Sequence, residues 1–319
     1  MYRALIIATL CALVTSCGSK TEKTEITPEA TTAIAFEVPK DVELASGTLH
    51  RYSPFPSKHI IPRNVDVWLP DGYTEDKKYT VVYMHDGQML FDAKTTWNKQ
   101  EWMVDEHASQ LMKEGKTKDF IVVAPWNIAA IRWQDYFPAK AVNYLSEKDK
   151  EWFVKESKGA TLNADSYLKF LVEELKPFID GQYSTLTDRA NTAVAGSSMG
   201  GLISMYAMCE YPDVFGAAAC ISTHWPGKVP VDDDRLPNAF FDYMEANLPS
   251  AADHSFYFDF GTETLDQFYP QYEAQVNEVF QRKGYDGTNF VNLKFEGADH
   301  SENSWNKRLN IPFEFILKQ

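Results

Sequence analysis

The fold class that the sequence predicts is α/β, with a mostly parallel central sheet and helices on both of its faces, and three observations predict it. Short apolar runs alternate with segments at helical spacing from Tyr79 onward, the pattern left by parallel strands joined through crossover helices. The stretch Thr192-Ala-Val-Ala-Gly196-Ser-Ser-Met-Gly-Gly201 reads as a buried strand that turns sharply at a glycine-framed serine and runs straight into a helix. The third is bulk: 319 residues with 44% hydrophobic and 14% aromatic content can bury a large core, which excludes a disordered chain and fits one domain with insertions.

The N-terminus reads as a targeting segment. Arg3 is a short positive start, and Ala4 to Val14 is an apolar run too short to span a bilayer as a helix. Val14-Thr15-Ser16-Cys17 then looks like a bacterial lipobox, so residues 1–16 are expected to be a lipoprotein signal peptide and Cys17 the lipidated new N-terminus. Simple secretion is the alternative. Residues 17–40 begin with a run of Thr, Glu, Lys and Ser that has little to bury, and are expected to be a flexible tether; residues 41–319 form the folded domain. The expected setting is the bacterial cell envelope, periplasmic or outward facing, with membrane contact through the lipid alone.

The formal net charge of −14 argues against nucleic acid or anionic lipid as the main partner, since either asks for a basic surface. Cys11, Cys17, Cys209 and Cys220 have no zinc-type spacing. The reading therefore calls for no metal and no cofactor. Cys209 and Cys220 lie in apolar surroundings and read as buried free thiols, with a disulfide as the alternative that an oxidising compartment permits.

Taken in order, Gly47 to Tyr52 and Val65 to Leu69 alternate as two antiparallel strands, closed by the turn Pro70-Asp71-Gly72. Tyr79 to Met84 is the first strongly buried strand, and it ends in the turn-rich His85-Asp86-Gly87-Gln88. A helix is expected over Glu101 to Lys113 and a strand over Phe120 to Ala124. Residues 126–160 break the rhythm: Trp126, Trp133, Tyr136, Phe137, Tyr144, Trp152 and Phe153 fall without clear period, as in a lid or binding loop, or in a hydrophobic cluster packed beneath one. Leu168, Leu171, Val172, Leu175 and Phe178 then line one face of a helix over Asp165 to Ile179.

Beyond the glycine-framed serine and its helix, Val214 to Ile221 reads as a buried strand with Ser222-Thr-His-Trp225 at its C-terminal end. Ligands of open α/β sheets bind at that edge, so His224 and Trp225 are candidates to line a substrate pocket together with Trp133 and Arg132 from the aromatic insertion, with a structural role as the other reading of His224. Asn238 to Asn247 reads as a helix, Ser255 to Phe260 as a strand, Gly261 to Asp266 as a loop, Pro270 to Lys283 as a helix and Phe290 to Phe295 as a last strand. Glu296-Gly-Ala-Asp-His300 and a final helical stretch follow.

Gly196-Ser197-Ser198-Met199-Gly200 fits the G-x-S-x-G nucleophile elbow, and its strand–turn–helix context is the one that motif requires. Ser198 is the expected nucleophile. A serine hydroxyl needs a base, and the base needs an orienting acid. In α/β-hydrolases these follow in the order serine, acid, histidine, on loops after sheet strands. His300 follows the last strand and is the only histidine after residue 254. Asp259, Glu263 and Asp266 lie at or after the end of the strand before it; Asp259 falls within the strand, so Asp266 is the favoured acid and Glu263 the alternative. The tetrahedral oxyanion needs two fixed donors. The backbone N–H groups of Met199 and Gln88 are the candidates.

These motifs together resemble the putative esterase group of α/β-hydrolases, which includes feruloyl and acetylxylan esterases, enterochelin esterases, S-formylglutathione hydrolases and mycolyltransferases. The resemblance spans Val65 to Leu317 and rests on Val81-Val-Tyr-Met-His-Asp-Gly-Gln88, Gly196-Ser-Ser-Met-Gly-Gly201, Phe258-Asp-Phe-Gly-Thr-Glu263 and Gly297-Ala-Asp-His-Ser-Glu302. It implies an α/β-hydrolase fold and a serine carboxylic ester hydrolase. In the group the acid falls a few residues past the glycine that ends this strand, where this chain has Thr264; counting back from Gly284 places Asp266 at the acid's position. Some enterochelin-type members resemble serine–histidine dyads. The expected reaction is hydrolysis of a carbohydrate-linked acetyl or feruloyl ester through an acyl-enzyme. A siderophore esterase, an acyltransferase on the same triad and a non-catalytic glycan- or siderophore-binding lipoprotein are the alternatives.

Overall fold

Strands whose every residue is apolar or small can only sit where both faces of a sheet are covered. Four such strands form the centre of the molecule in a computed structural model: β3 (Thr80–Met84), β4 (Phe120–Pro125), β5 (Thr192–Ser197) and β6 (Ala217–Ile221), each buried along its whole length. The structure describes residues 34–231 and 233–318. The expected signal peptide, the lipidation site Cys17 and residues 17–33 of the expected tether lie outside the described residues.

With β1 (Thr48–Phe55), β2 (Arg63–Leu69), β7 (Ser255–Phe260) and β8 (Phe290–Lys294) the sheet has eight strands in the order β1-β2-β4-β3-β5-β6-β7-β8. Strands β4 to β8 run parallel in that order, while β2 pairs antiparallel with both β1 and β4. Hydrophobic clusters cover both faces. One joins Leu168, Leu171, Leu175, Leu202, Tyr206 and Phe240; the other joins Val104, Leu111, Trp305, Leu309 and Phe313. The fold class is the one the sequence predicts.

Several boundaries move for local reasons. The helix expected from Glu101 starts at Val104, because Met103 is held at φ 53° in the left-handed region where a helix cannot begin. The strand expected from Val214 starts at Ala217, since the amides of Val214 and Phe215 turn back to the Tyr211 carbonyl. The helix expected over Asp165 to Ile179 lies inside a continuous helical stretch from Ala164 to Gln182, widened to π geometry over Phe170–Leu175. At the other edge the expected tether gains partners before residue 40: Glu37 exchanges both backbone hydrogen bonds with Arg51, and Phe36 stacks on His50 at 3.7 Å.

The aromatic insertion is ordered by short helices, Arg132–Tyr136 and Glu147–Glu156, with 3-10 turns around them. Tyr136, Phe137 and Phe153 join the core cluster on that face of the sheet, whereas Trp133 and Trp152 stay half-buried. Cys209 and Cys220 are free thiols, and burial pushes both well above the ordinary thiol range.

Candidate active site

Strand β5 ends at Ser197, and the next residue holds φ 59° and ψ −120°, a conformation costly for anything but glycine. Ser198 keeps it because the turn is pinned on both sides: its N–H donates to the Ile221 carbonyl at 2.9 Å and its carbonyl accepts from the His224 N–H at 3.2 Å. The flanking glycines are required by space. A Cβ at Gly196 would come within 2.9 Å of the Gly200 backbone, and one at Gly201 within 2.6 Å of the Thr223 hydroxyl oxygen. The result lifts the Ser198 side chain out of a buried strand to the wall of a cavity of about 350 Å³.

His300 opens on the same cavity, brought there by the loop after β8. Its Nδ1 meets the Asp266 Oδ1 at 2.5 Å, and its backbone N–H donates to the Thr264 Oγ1 at 2.8 Å. Asp266 is completely buried, and its other oxygen accepts from the Ser222 hydroxyl and the Gly261 N–H, each at 2.6 Å. The carboxylate thus meets three partners, and the bond to Nδ1 leaves Nε2 of His300 free to face the cavity. Glu263, the alternative acid, has its side chain in solvent; its backbone carbonyl accepts from the Asp266 N–H at 3.1 Å. Thr264, at the position where the resembling family carries its acid, holds the histidine main chain instead.

The two amides expected to hold the oxyanion lie at two helix starts. Met199 is the first residue of the helix Met199–Glu210 and Gln88 lies in the 3-10 turn Gly87–Met89, positions whose N–H groups have no partner within the helix. Gln88 lines the Ser198 cavity, and its side chain is tied down by the Asn127 N–H, which donates to Oε1 at 3.1 Å. Asp86 fixes this turn at φ 60°. Its carboxylate accepts from Nε and Nη2 of Arg132 at 2.8 and 2.7 Å and from the Asn127 side chain at 2.7 Å. Burial alone would raise the Asp86 carboxyl, but the guanidinium beside it holds it below the usual range.

Arg132, expected to bind substrate, is therefore committed to Asp86, although it lines the cavity. Trp225 corrects a second expectation: it is core, packed between Phe241 at 5.2 Å and Phe258 at 5.5 Å, because its side chain turns back under the strand end instead of toward the cavity. Trp133 faces a separate hollow with Trp152, Phe153 and Lys228, and its indole N–H donates to the Gly227 carbonyl at 2.8 Å. His224 is also displaced from the wall. It is buried behind Ser198, with Nε2 donating to the Lys228 carbonyl at 3.2 Å, so Nδ1 accepts from the Tyr269 hydroxyl at 2.9 Å. The Tyr269 oxygen in turn faces Ser198.

The sequence reading missed the residues that shape the cavity: Trp97, Trp102, Trp305, Asn127 and Glu302. Trp102 and Trp305 stack at 5.1 Å. Trp97 is 83% exposed, and its loop is strapped to the histidine loop by the Asn98 amide donating to Glu302 at 2.8 Å and the Asn303 N–H donating to Gln100 at 3.2 Å. Such contacts join segments about 200 residues apart, so no local pattern announces them.

Two further histidines are buried neutral. Burial pushes His85 down to about 4, and burial, then the field of His300, pushes His224 to about 4. In the unfolded chain both return to the ordinary value of about 6.5, so the unfolded state takes up protons first as pH falls. Stability is expected to be full above about pH 6.5 and to decline toward pH 4. The check is the thermal midpoint at pH 7.5 and 5 for wild type and His85→Gln; an equal drop in both would reject His85 as a contributor.

A family model described as "Putative esterase" matches residues 61–313. Among curated proteins, the chain is 27% identical over 180 residues to "Endo-1,4-beta-xylanase/feruloyl esterase" of Xylanibacter ruminicola, covering 52% of this chain and 20% of that protein. It is 27% identical over 165 residues to YbbA of Bacillus subtilis, covering 51% and 58% respectively. The matches thus span well under two thirds of either relative. Among solved structures, a ferulic acid esterase superposes with a TM-score of 0.60 at 19% identity, covering 86% of this chain and 99% of that one. The feruloyl esterase module from Clostridium thermocellum, complexed with sinapinate, gives 0.61 at 18% over 90% and 95%. The enterobactin esterase from Shigella flexneri gives 0.58 at 14% over 88% and 60%. At these identities the likeness is one of fold.

Proposed function

The chain belongs to the "Putative esterase" family, and from that premise we propose that it is a serine hydrolase that cleaves carboxylic esters of carbohydrates, acetyl or feruloyl in type, through an acyl-enzyme. The observation that carries the reading is that buried Asp266 holds His300, which opens on the same cavity as the strained Ser198. In this reaction His300 Nε2 takes the Ser198 proton as Oγ bonds to the ester carbon. The Met199 and Gln88 amides hold the oxyanion while the C–O bond to the alcohol breaks and His300 returns the proton to the leaving oxygen. Water then repeats the sequence against the acyl group, releasing the acid and restoring Ser198.

The carbohydrate side of the proposal is supported by Trp97, whose ring is almost fully exposed at the cavity rim, and by the feruloyl esterases among the similar proteins. An exposed indole offers a flat apolar face to a sugar or an aryl ring. Trp97→Ala is expected to raise KM for a feruloylated oligosaccharide about 10-fold while leaving kcat/KM for p-nitrophenyl acetate within about 2-fold. An unchanged KM for the saccharide ester would overturn the assignment.

The fold likeness to an enterobactin esterase favours a siderophore ester as the second reading. Turnover of acetylated xylan, methyl ferulate and a catecholate trilactone, assayed side by side with and without glycerol as acceptor, separates hydrolysis of each class from acyl transfer. Hydrolysis of the trilactone alone would replace the carbohydrate reading. The sequence at Arg3, residues 4–14 and Cys17 supports placing the enzyme on a lipid anchor in the cell envelope; its check is metabolic labelling with a fatty-acid probe, lost in Cys17→Ala.

A further inference from the structure

One buried hydroxyl behind the catalytic acid has all of its hydrogen-bonding capacity assigned. Ser222 follows the last residue of β6, is fully buried and holds φ 40°, an uncommon conformation for serine. Its Oγ accepts from the Trp305 indole N–H at 3.0 Å and from Nη2 of Arg308 at 3.0 Å. Neither partner can accept. Both lone pairs are thereby used, and the single hydroxyl proton is left pointing at Asp266 Oδ2, 2.6 Å away.

We propose that Ser222 is a positioning residue for the catalytic acid, its hydroxyl proton reserving one oxygen of Asp266 and leaving the other for His300. Oδ2 already receives the Gly261 N–H at 2.6 Å, so two donors converge on it; Oδ1 meets the His300 Nδ1 at 2.5 Å. Two donors on one oxygen and the imidazole on the other fix the plane in which the carboxylate meets the ring. Arg308 supplies this arrangement at no cost in unpaired charge. Asp259 holds it bidentately at 2.9 and 3.0 Å and itself accepts from the Ser222 N–H at 3.0 Å and the Tyr257 hydroxyl at 2.8 Å.

The other ionisable groups facing His300 are occupied elsewhere. Arg132 is paired with Asp86 and Glu302 accepts from Asn98. His224, bonded through Nδ1 to Tyr269, is neutral. Arg308, which also donates to Ser222, stays held bidentately by Asp259; removing the Ser222 proton therefore acts on His300 chiefly through Asp266, whose carboxylate, with one donor fewer, becomes more basic and binds the imidazolium more strongly. The acid limb of kcat/KM is then displaced toward higher pH.

The inference rests on the serine-hydrolase reading, and its test separates the two. Ser222→Ala and Ser222→Gly are compared with wild type for kcat/KM from pH 5 to 9, thermal midpoint and endpoint labelling of Ser198 by a fluorophosphonate. Glycine accepts φ 40° without strain, so it isolates loss of the hydroxyl from loss of the fold. Both variants are expected to label to about one equivalent, to lose about 10- to 100-fold in kcat/KM with KM within about 2-fold, and to move the acid limb up by roughly one pH unit. An unmoved limb in both variants, or an activity loss no larger than the loss of label, overturns the proposal. Wild-type protein that takes up no label would instead sink the serine-hydrolase reading itself.

Discussion

Ser198→Ala lowers kcat/KM for p-nitrophenyl butyrate by about 10⁴–10⁶, the largest effect expected of any substitution in the chain. Alanine fits the site, since only the oxygen is removed, and the backbone strain at φ 59° is carried equally by either residue. The cavity, the Asp266–His300 pair and the two amides stay in place. What remains is the modest acceleration that oxyanion donors and binding provide without a nucleophile. The variant should melt with wild type and still bind product. A rate within about 10-fold of wild type in folded protein would reject acyl-enzyme chemistry at this site.

Asp266→Asn is expected to lower kcat by about 10³–10⁴, while Glu263→Gln stays within about 2-fold. The physical reason lies in the donor count around the acid. An asparagine must present its NH₂ either to the Ser222 and Gly261 donors or to the His300 Nδ1–H, and the second choice drives the imidazole toward the tautomer with its proton on Nε2. That tautomer cannot take the Ser198 proton. Glu263 ends in solvent and contributes its backbone carbonyl, which glutamine keeps. Equal losses in the two variants would reject Asp266 as the acid, and an unaffected Asp266→Asn would leave a serine–histidine dyad.

The parts of this site that were legible in the sequence are those whose chemistry is local. Ser198 declares itself because the elbow needs a buried strand before it, small residues beside it and a helix after it, all within ten residues. His300 is legible through chain order. The acid was harder: Thr264 occupies its customary place, and only folding shows that Thr264 holds the His300 main chain while Asp266 reaches the ring. Trp225 was misread since strand-end placement brings a residue to the ligand edge without saying which way its side chain points. Trp97 left no signal at all, because a lone tryptophan in a polar loop acquires meaning only from the cavity beside it. Ser222 is similar: its role exists through Trp305 and Arg308, more than 80 residues away.

The helices after His300 do more than close the second hydrophobic cluster. Trp305 and Arg308 reach from them to Ser222, and Leu309, Phe313 and Leu317 dock beneath β6 and β7. The strained turn at Ser198, by contrast, needs only β5, its helix and the end of β6 that pins it. A chain emerging from the ribosome therefore carries Ser198 for about a hundred residues before His300, its proposed base, arrives, and that histidine is aligned only when the helices behind it seat. Under the proposed mechanism, ester hydrolysis is in this sense a certificate of finished folding, withheld from every shorter intermediate.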